Sequence, residues 1–238
     1  MPDARSTSRL LGAFGLVAGP ILFLLSNLVS PAWADDTSAY LGEVAAAPDR
    51  HVASGALFLA GTVAFVPGLI AVARLLRGRS VGLGQIGALL IAVAGPVTGG
   101  LILAINVAEV ASVEALDRAQ AIAFSERAED STTAAVAFFG LFLGGFAIGT
   151  ILLAYGLFRR RVVPIWSPVL LVAWLAGLFF LSNGRLGSTL VSALGALAFL
   201  PVAAKLLTIP DDQWERWEPA PAEADVAVSR RELHSSTA

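Results

Sequence analysis

Cysteine is absent from the 238 residues. That excludes disulfides, thiolate nucleophiles, Cys-ligated metals and dithiol relays. Histidine occurs only at His51 and His234, and methionine once. With His234 in a polar tail, most haem ligation schemes are excluded. The one lysine is Lys205, so no Gly-x-x-x-x-Gly-Lys phosphate loop exists. Charge is scarce: 14% of residues are Asp, Glu, Lys or Arg, against about 25% in soluble domains. A net charge of −2 without a clustered basic surface implies no nucleic-acid partner.

Apolar residues make up 56% of the chain, too many for a soluble globule of this size to cover. Lipid is their natural solvent. Six stretches carry no charge: Leu10–Ala34, Val52–Ala73, Ser80–Ala108, Ser131–Phe158, Val162–Gly184 and Leu186–Ala204. Each reaches or approaches the ~20 residues that cross a bilayer, and irregular chain is not tolerated there. The expected fold is an all-α, polytopic integral membrane six-helix bundle over 10–209. Its spans fall at about 10–30, 52–73, 82–108, 133–158, 162–182 and 186–206, with terminal segments 1–9 and 210–238.

The connections alternate in charge. Arg5, Arg9, Arg74, Arg77, Arg79, Arg159, Arg160, Arg161 and Lys205 flank one set of span ends. The opposite set carries Arg50, Arg118, Arg127 and Arg185 mixed with an acidic majority: Asp35, Asp36, Glu43, Asp49, Glu109, Glu114, Asp117, Glu126, Glu129 and Asp130. Basic residues mark the cytoplasmic side, so both termini are expected in the cytoplasm of a cell that carries the protein in its plasma membrane. A rival for the first span is a signal peptide cleaved after Ala32-Trp33-Ala34. The run from Leu10 to Val29 is longer than the roughly 7–15 residues of a signal core, which favours a retained helix.

Two outer loops are long. Thr37-Ser38 predicts a capped helix to about Ala46, with Tyr40, Leu41 and Val44 on one side and Pro48 as its stop. From Val110 to Arg127 a partly helical period predicts an amphipathic helix continuing span three. Beyond Pro210, Trp214 and Trp217 are expected at the headgroup level, with disorder from Pro219.

Two-span units share short strings. Leu22–Asn27 matches Leu178–Asn183, Gly61–Pro67 matches Gly195–Pro201, and Val17–Pro20 matches Val93–Pro96. They read either as three repeated hairpins about an axis near the membrane normal or as chance in an Ala/Leu/Val/Gly alphabet. Small-xxx-small pairs at Gly15/Gly19, Gly95/Gly99, Gly140/Gly144, Gly145/Gly149 and Ser188/Ser192/Ala196 suit close helix packing. Pro20, Pro67, Pro96 and Pro201 lie inside spans and remove backbone donors.

No Asp, Glu, Lys or Arg sits mid-span, which argues against a proton-coupled pump. No His-Glu-x-x-His or Gly-x-Ser-x-Gly is present. No catalytic residue, cofactor or metal site is assigned. The three asparagines, Asn27, Asn106 and Asn183, fall near the outer ends of odd-numbered spans. Glu109, Arg185 and His51 lie close to them in the sequence or at the same end. These six side chains form an outward polar cup over an apolar interior, a candidate ligand site, or they cap helices and satisfy loop backbone. Glu109 and Arg185 read also as a helix-end ion pair or as solvated groups.

Asp36–Leu41, Pro48-Asp49-Arg50-His51 and the Pro67-Gly68 helix ending Arg74-Leu75-Leu76-Arg77-Gly78-Arg79 resemble uncharacterised six-helix membrane proteins of high-GC bacteria that carry a domain of unknown function. The likeness covers roughly Leu10 to Leu207 and implies topology alone.

The leading expectation is non-enzymatic binding of a lipid or small amphipathic ligand, or an accessory role with a protein partner in the envelope. A transporter or channel-like protein is the alternative. An outward-facing membrane enzyme, using carboxylates such as Glu109 and Asp130, is the third.

Overall fold

Helix is the only regular element among the described residues, which are 4–77, 82–131, 140–182, 184–210 and 214 of a computed structural model. In chain order they are α1 (Ala4–Val29), α2 (Thr37–Ala46), α3 (Pro48–Leu75), α4 (Leu83–Ala115) and α5 (Arg118–Glu129). A π-helical segment (Gly140–Ala147) then runs into α6 (Ile148–Arg160), followed by α7 (Trp166–Phe180) and α8 (Gly184–Thr208). Four of them, α1, α3, α4 and α8, are long and apolar enough to cross a membrane. With 15 residues, α7 falls short of the ~20 needed for an untilted crossing.

The long helices close a ring in chain order. Helix α1 packs on α3, α3 on α4, α4 on the π-helical segment and α6, α6 on α7, α7 on α8, and α8 returns to α1. Glycine sets several of these approaches. At the α4–α6 crossing, a Cβ on Gly84 would lie 2.7 Å from the Cα of Gly156. At the α1–α3 crossing, a Cβ on Gly68 would lie 2.8 Å from the Leu16 backbone nitrogen. Gly145 and Gly149 face α4 at the same close range, whereas Gly140 and Gly144 meet nothing within 4 Å.

An aromatic chain fills the interior. Phe65 and Phe199 meet edge-on at 4.7 Å, Trp174 and Phe199 at 6.1 Å, and Phe146 and Trp174 at 5.3 Å, in the geometry such rings favour. Large apolar side chains also point away from the ring: Phe14, Val93, Ile165 and Phe180 are all exposed. Such an outward apolar surface suits a lipid environment.

Several boundaries differ from the sequence reading. The N-cap of α2 is Asp36, whose side chain accepts from the Ala39 N–H at 2.8 Å. Leu41 and Val44 are buried and Tyr40 is half-buried. Pro48 does not merely stop α2; it opens α3, where a missing N–H costs nothing. Helix α4 extends to Ala115, and α5 is a separate helix capped by Asp117. Helix α7 starts at Trp166, not Val162; Arg161 takes a left-handed conformation with φ 50°, and Pro164 disfavours helix at Val163.

Trp214 packs against the bundle and is 3% exposed. The Arg74 guanidinium stacks 4.6 Å from its ring centre, and Arg74 and Arg77 donate to its carbonyl at 3.1 and 2.8 Å. Arg9 donates to the Ile209 carbonyl at the same end of the ring. Burial, with Arg74 nearby, lowers the Arg77 guanidinium below its ordinary value. It still holds its proton at neutral pH. Trp217 lies outside the described residues.

Candidate functional site

Opposite the Trp214 end, polar side chains meet where α2, α3 and α4 converge. Pro48 fixes the start of α3 and puts His51 in its first turn. Asn106 and Glu109, three residues apart on α4, share one face. His51 Nε2 lies 2.7 Å from Glu109 Oε2, and the Tyr40 hydroxyl donates to the same oxygen at 3.0 Å. The Tyr40 and His51 rings stand edge to face at 6.0 Å. Asn106 Nδ2 donates to the His51 carbonyl at 2.8 Å and to Ser54 Oγ at 3.3 Å. Ser26 Oγ donates to the Ser54 carbonyl at 2.8 Å, bringing α1 into the network. With the Glu109 carboxylate as acceptor, Nε2 carries the proton. His51 is 3% exposed, and its Nδ1 has no hydrogen-bond partner.

A second clasp joins α1 to α8. Asn27 Nδ2 donates to the Ser188 carbonyl at 3.1 Å and to Ser192 Oγ at 2.8 Å. Arg185 donates to the Leu28 carbonyl at 2.8 Å. Thus His51, Asn106 and Glu109 come together, Asn27 and Arg185 form a separate pair of contacts, and Asn183 lies outside the described residues. Glu109 and Arg185 take different partners. Tyr40, Ser54 and Ser192 complete these clasps and were not nominated from sequence. The sequence places Tyr40 on one side of α2 with Leu41 and Val44, which is the signal available.

Beneath the clasps, the ring lines a partly open cavity of about 70 Å³. Phe23 (α1), Phe58 (α3), Phe146 (π-helical segment), Trp174 and Leu178 (α7) give it apolar walls. Its polar atoms come from Thr62, Thr98 and Ser192. Thr62 donates to the Leu59 carbonyl and Ser192 accepts from Asn27. Thr98 Oγ1 is buried without a partner. Sequence reasoning missed this site, because one threonine in an apolar helix carries no signal until its neighbours are known. No group of three or more His, Asp or Glu side chains fit to hold a metal occurs among the described residues.

Fold and site together define a class: an all-helical bundle with membrane-length apolar helices and an apolar cavity below a polar clasp. Comparison with protein-family models, with curated proteins and with solved structures gives no match.

Proposed function

We propose that the chain is a six-span plasma-membrane protein that binds a lipid or small amphipathic molecule, with the apolar part of the ligand in the central cavity. The cavity wall carries this reading: it draws residues from α1, α3, α4, the π-helical segment, α7 and α8. Ligand pockets are typically apolar with a few convergent polar groups. The interior is mainly apolar and aromatic, which supports binding over passage of a polar solute. Tyr40, His51 and Glu109 do converge, but their hydrogen bonds run to one another, as in a structural clasp.

For topology, the π-helical segment with α6 supplies the fourth span and α7, tilted or within a thinned bilayer, the fifth. The arginines gathered around Ile209 and Trp214 support that end as cytoplasmic. Leu16, fully buried in the core, supports a retained first span. The likeness to six-helix proteins of high-GC bacteria belongs to the same proposal. A threefold hairpin repeat is supported by Phe65 and Phe199, which occupy matching positions in two units and touch across the ring.

A filled cavity tests the binding function. A Cβ on Gly95 would meet nothing nearer than Thr62 Cβ at 3.7 Å, so Gly95→Leu has room to occupy the space without a backbone clash. Native mass spectrometry of gently extracted protein should find a small molecule retained by wild type and missing from Gly95→Leu. A bare wild type, or equal retention by both, overturns the reading.

A further inference from the structure

We infer that a cleft at the Trp214 end of the bundle holds the phosphate of an anionic phospholipid, gripped by Arg159 and Arg160. The site is separate from the central cavity and takes from the reading above only the placement in a membrane. Helices α4 and α6 touch at Gly84 and Gly156, and an open cleft of about 390 Å³ lies at that contact. Leu76 and Leu83 line it together with Tyr155, Arg159 and Arg160. Its volume is within the ~300–1,000 Å³ of small-molecule sites. Tyr155 and both arginines are exposed, so a ligand can reach them. Arg159 donates to the Tyr155 hydroxyl at 3.4 Å, which leaves the phenol O–H to donate elsewhere.

Charge selects the ligand. Among the described residues, Arg159 and Arg160 pair with no carboxylate, whereas Arg74 and Arg77 donate to the Trp214 carbonyl. No Asp or Glu occurs between Asp49 and Glu109 or between Asp130 and Asp211, so the helix ends that form the cleft bring only positive charge. Two adjacent guanidiniums offer forked donor pairs that match phosphate oxygens. Leu83 and Tyr155 supply the second half of the argument, because each lines the cleft and belongs to an exposed apolar stripe. On α6 the stripe runs through Ile151, Tyr155 and Phe158, and on α4 through Leu83, Ile86 and Val93, both at helical spacing. Acyl chains can lie along these stripes while the headgroup reaches the arginines, as in other basic pockets between membrane helices. A free phosphate would leave the apolar flanks unused.

The test is native mass spectrometry of the full chain released from nanodiscs of equal phosphatidylglycerol and phosphatidylcholine. Wild type should retain phosphatidylglycerol in preference. Arg159→Gln and Arg160→Gln should each cut that preference roughly fivefold, the usual share of one arginine at an anionic membrane surface. Arg161→Gln removes the same charge next to the cleft but outside its lining, and should leave the preference largely intact. Gly82 also lines the cleft, and a Cβ there meets nothing within 4 Å. Its backbone is extended, with φ −89° and ψ 155°, at the N-cap of α4, a position that favours Asp. Gly82→Asp should therefore keep the thermal midpoint of wild type and lose the preference, which separates binding from folding. Equal retention of the two lipids by wild type overturns the site. So does an equal loss in Arg161→Gln and Arg160→Gln, which would assign the preference to general surface charge. Displacement of the lipid by excess glycerol phosphate overturns the lipid as occupant and assigns the cleft to a free phosphate. Gly95→Leu should leave the preference unchanged, so failure of this site and failure of the central cavity are read separately.

Discussion

Glu109 Oε2 accepts from both Tyr40 and His51, so one carboxylate oxygen fastens α2 and α3 to α4. Removing the shared acceptor takes one hydrogen bond from Tyr40 and strands the Nε2 N–H of the buried His51. Glu109→Ala should therefore lower stability by about 1–3 kcal/mol, the usual penalty for stranding buried polar groups. Glu109→Gln keeps an acceptor oxygen and should recover part of the loss. Chemical unfolding in micelles, followed by circular dichroism, reads the difference. Wild-type behaviour of both variants would show that the clasp contributes nothing. At this scale the sequence was half legible. Rare polar residues near span ends drew attention to His51, Asn106 and Glu109, which the fold brings together. Nothing in one dimension showed that Asn27 turns away from them toward Ser192, because rotation about the α1 axis is decided by packing.

Helix contacts depend on where glycine lets backbones touch. The strings read as small-xxx-small pairs were informative in α1 and partly in the fourth stretch. There, Gly145 and Gly149 meet α4, but Gly140 and Gly144 face open space. The π-helical turn spanning Gly140–Ala147 changes the periodicity that such a pattern assumes, so the spacing alone could not say which pair packs. The Gly84–Gly156 crossing was not legible either, since its partners lie on different helices. It gives a direct contrast. Gly156→Ala puts a methyl against the Gly84 backbone and should destabilise by about 1–3 kcal/mol, as overpacking does. Gly42→Ala on α2 meets nothing within 4 Å and should be neutral or stabilising by up to about 1 kcal/mol, the helix-propensity gain. Thermal unfolding of both variants in nanodiscs checks this; equal midpoints would remove close backbone approach as the source of the α4–α6 contact.

For the whole molecule, the distribution of polarity along the ring axis makes orientation measurable. One end gathers Arg9, Arg74 and Arg77; the other carries α2 and α5, whose Ser38 and Arg118 are joined at 2.8 Å. The alternating charge of the connections anticipated this separation, whereas ring closure between α1 and α8 depends on contacts distant in sequence. Because the chain has no cysteine, single cysteines report position without any background substitution. Ala46, Ala123 and Thr208 are exposed, the first two on α2 and α5 and the third at the end of α8. In intact cells a membrane-impermeant maleimide should modify Ala46→Cys and Ala123→Cys but leave Thr208→Cys untouched until the membrane is broken. Reversed labelling would invert the topology, and labelling at both ends would mean an even number of crossings between α2 and the end of α8. Loss of α1 alone would leave this labelling unchanged, so the intact mass of the purified chain is its necessary companion. A mass that includes residues before Asp35 keeps α1 in the ring, where Leu16 packs fully buried in the core; a chain beginning at Asp35 would leave α3 and α8 without the helix that joins them.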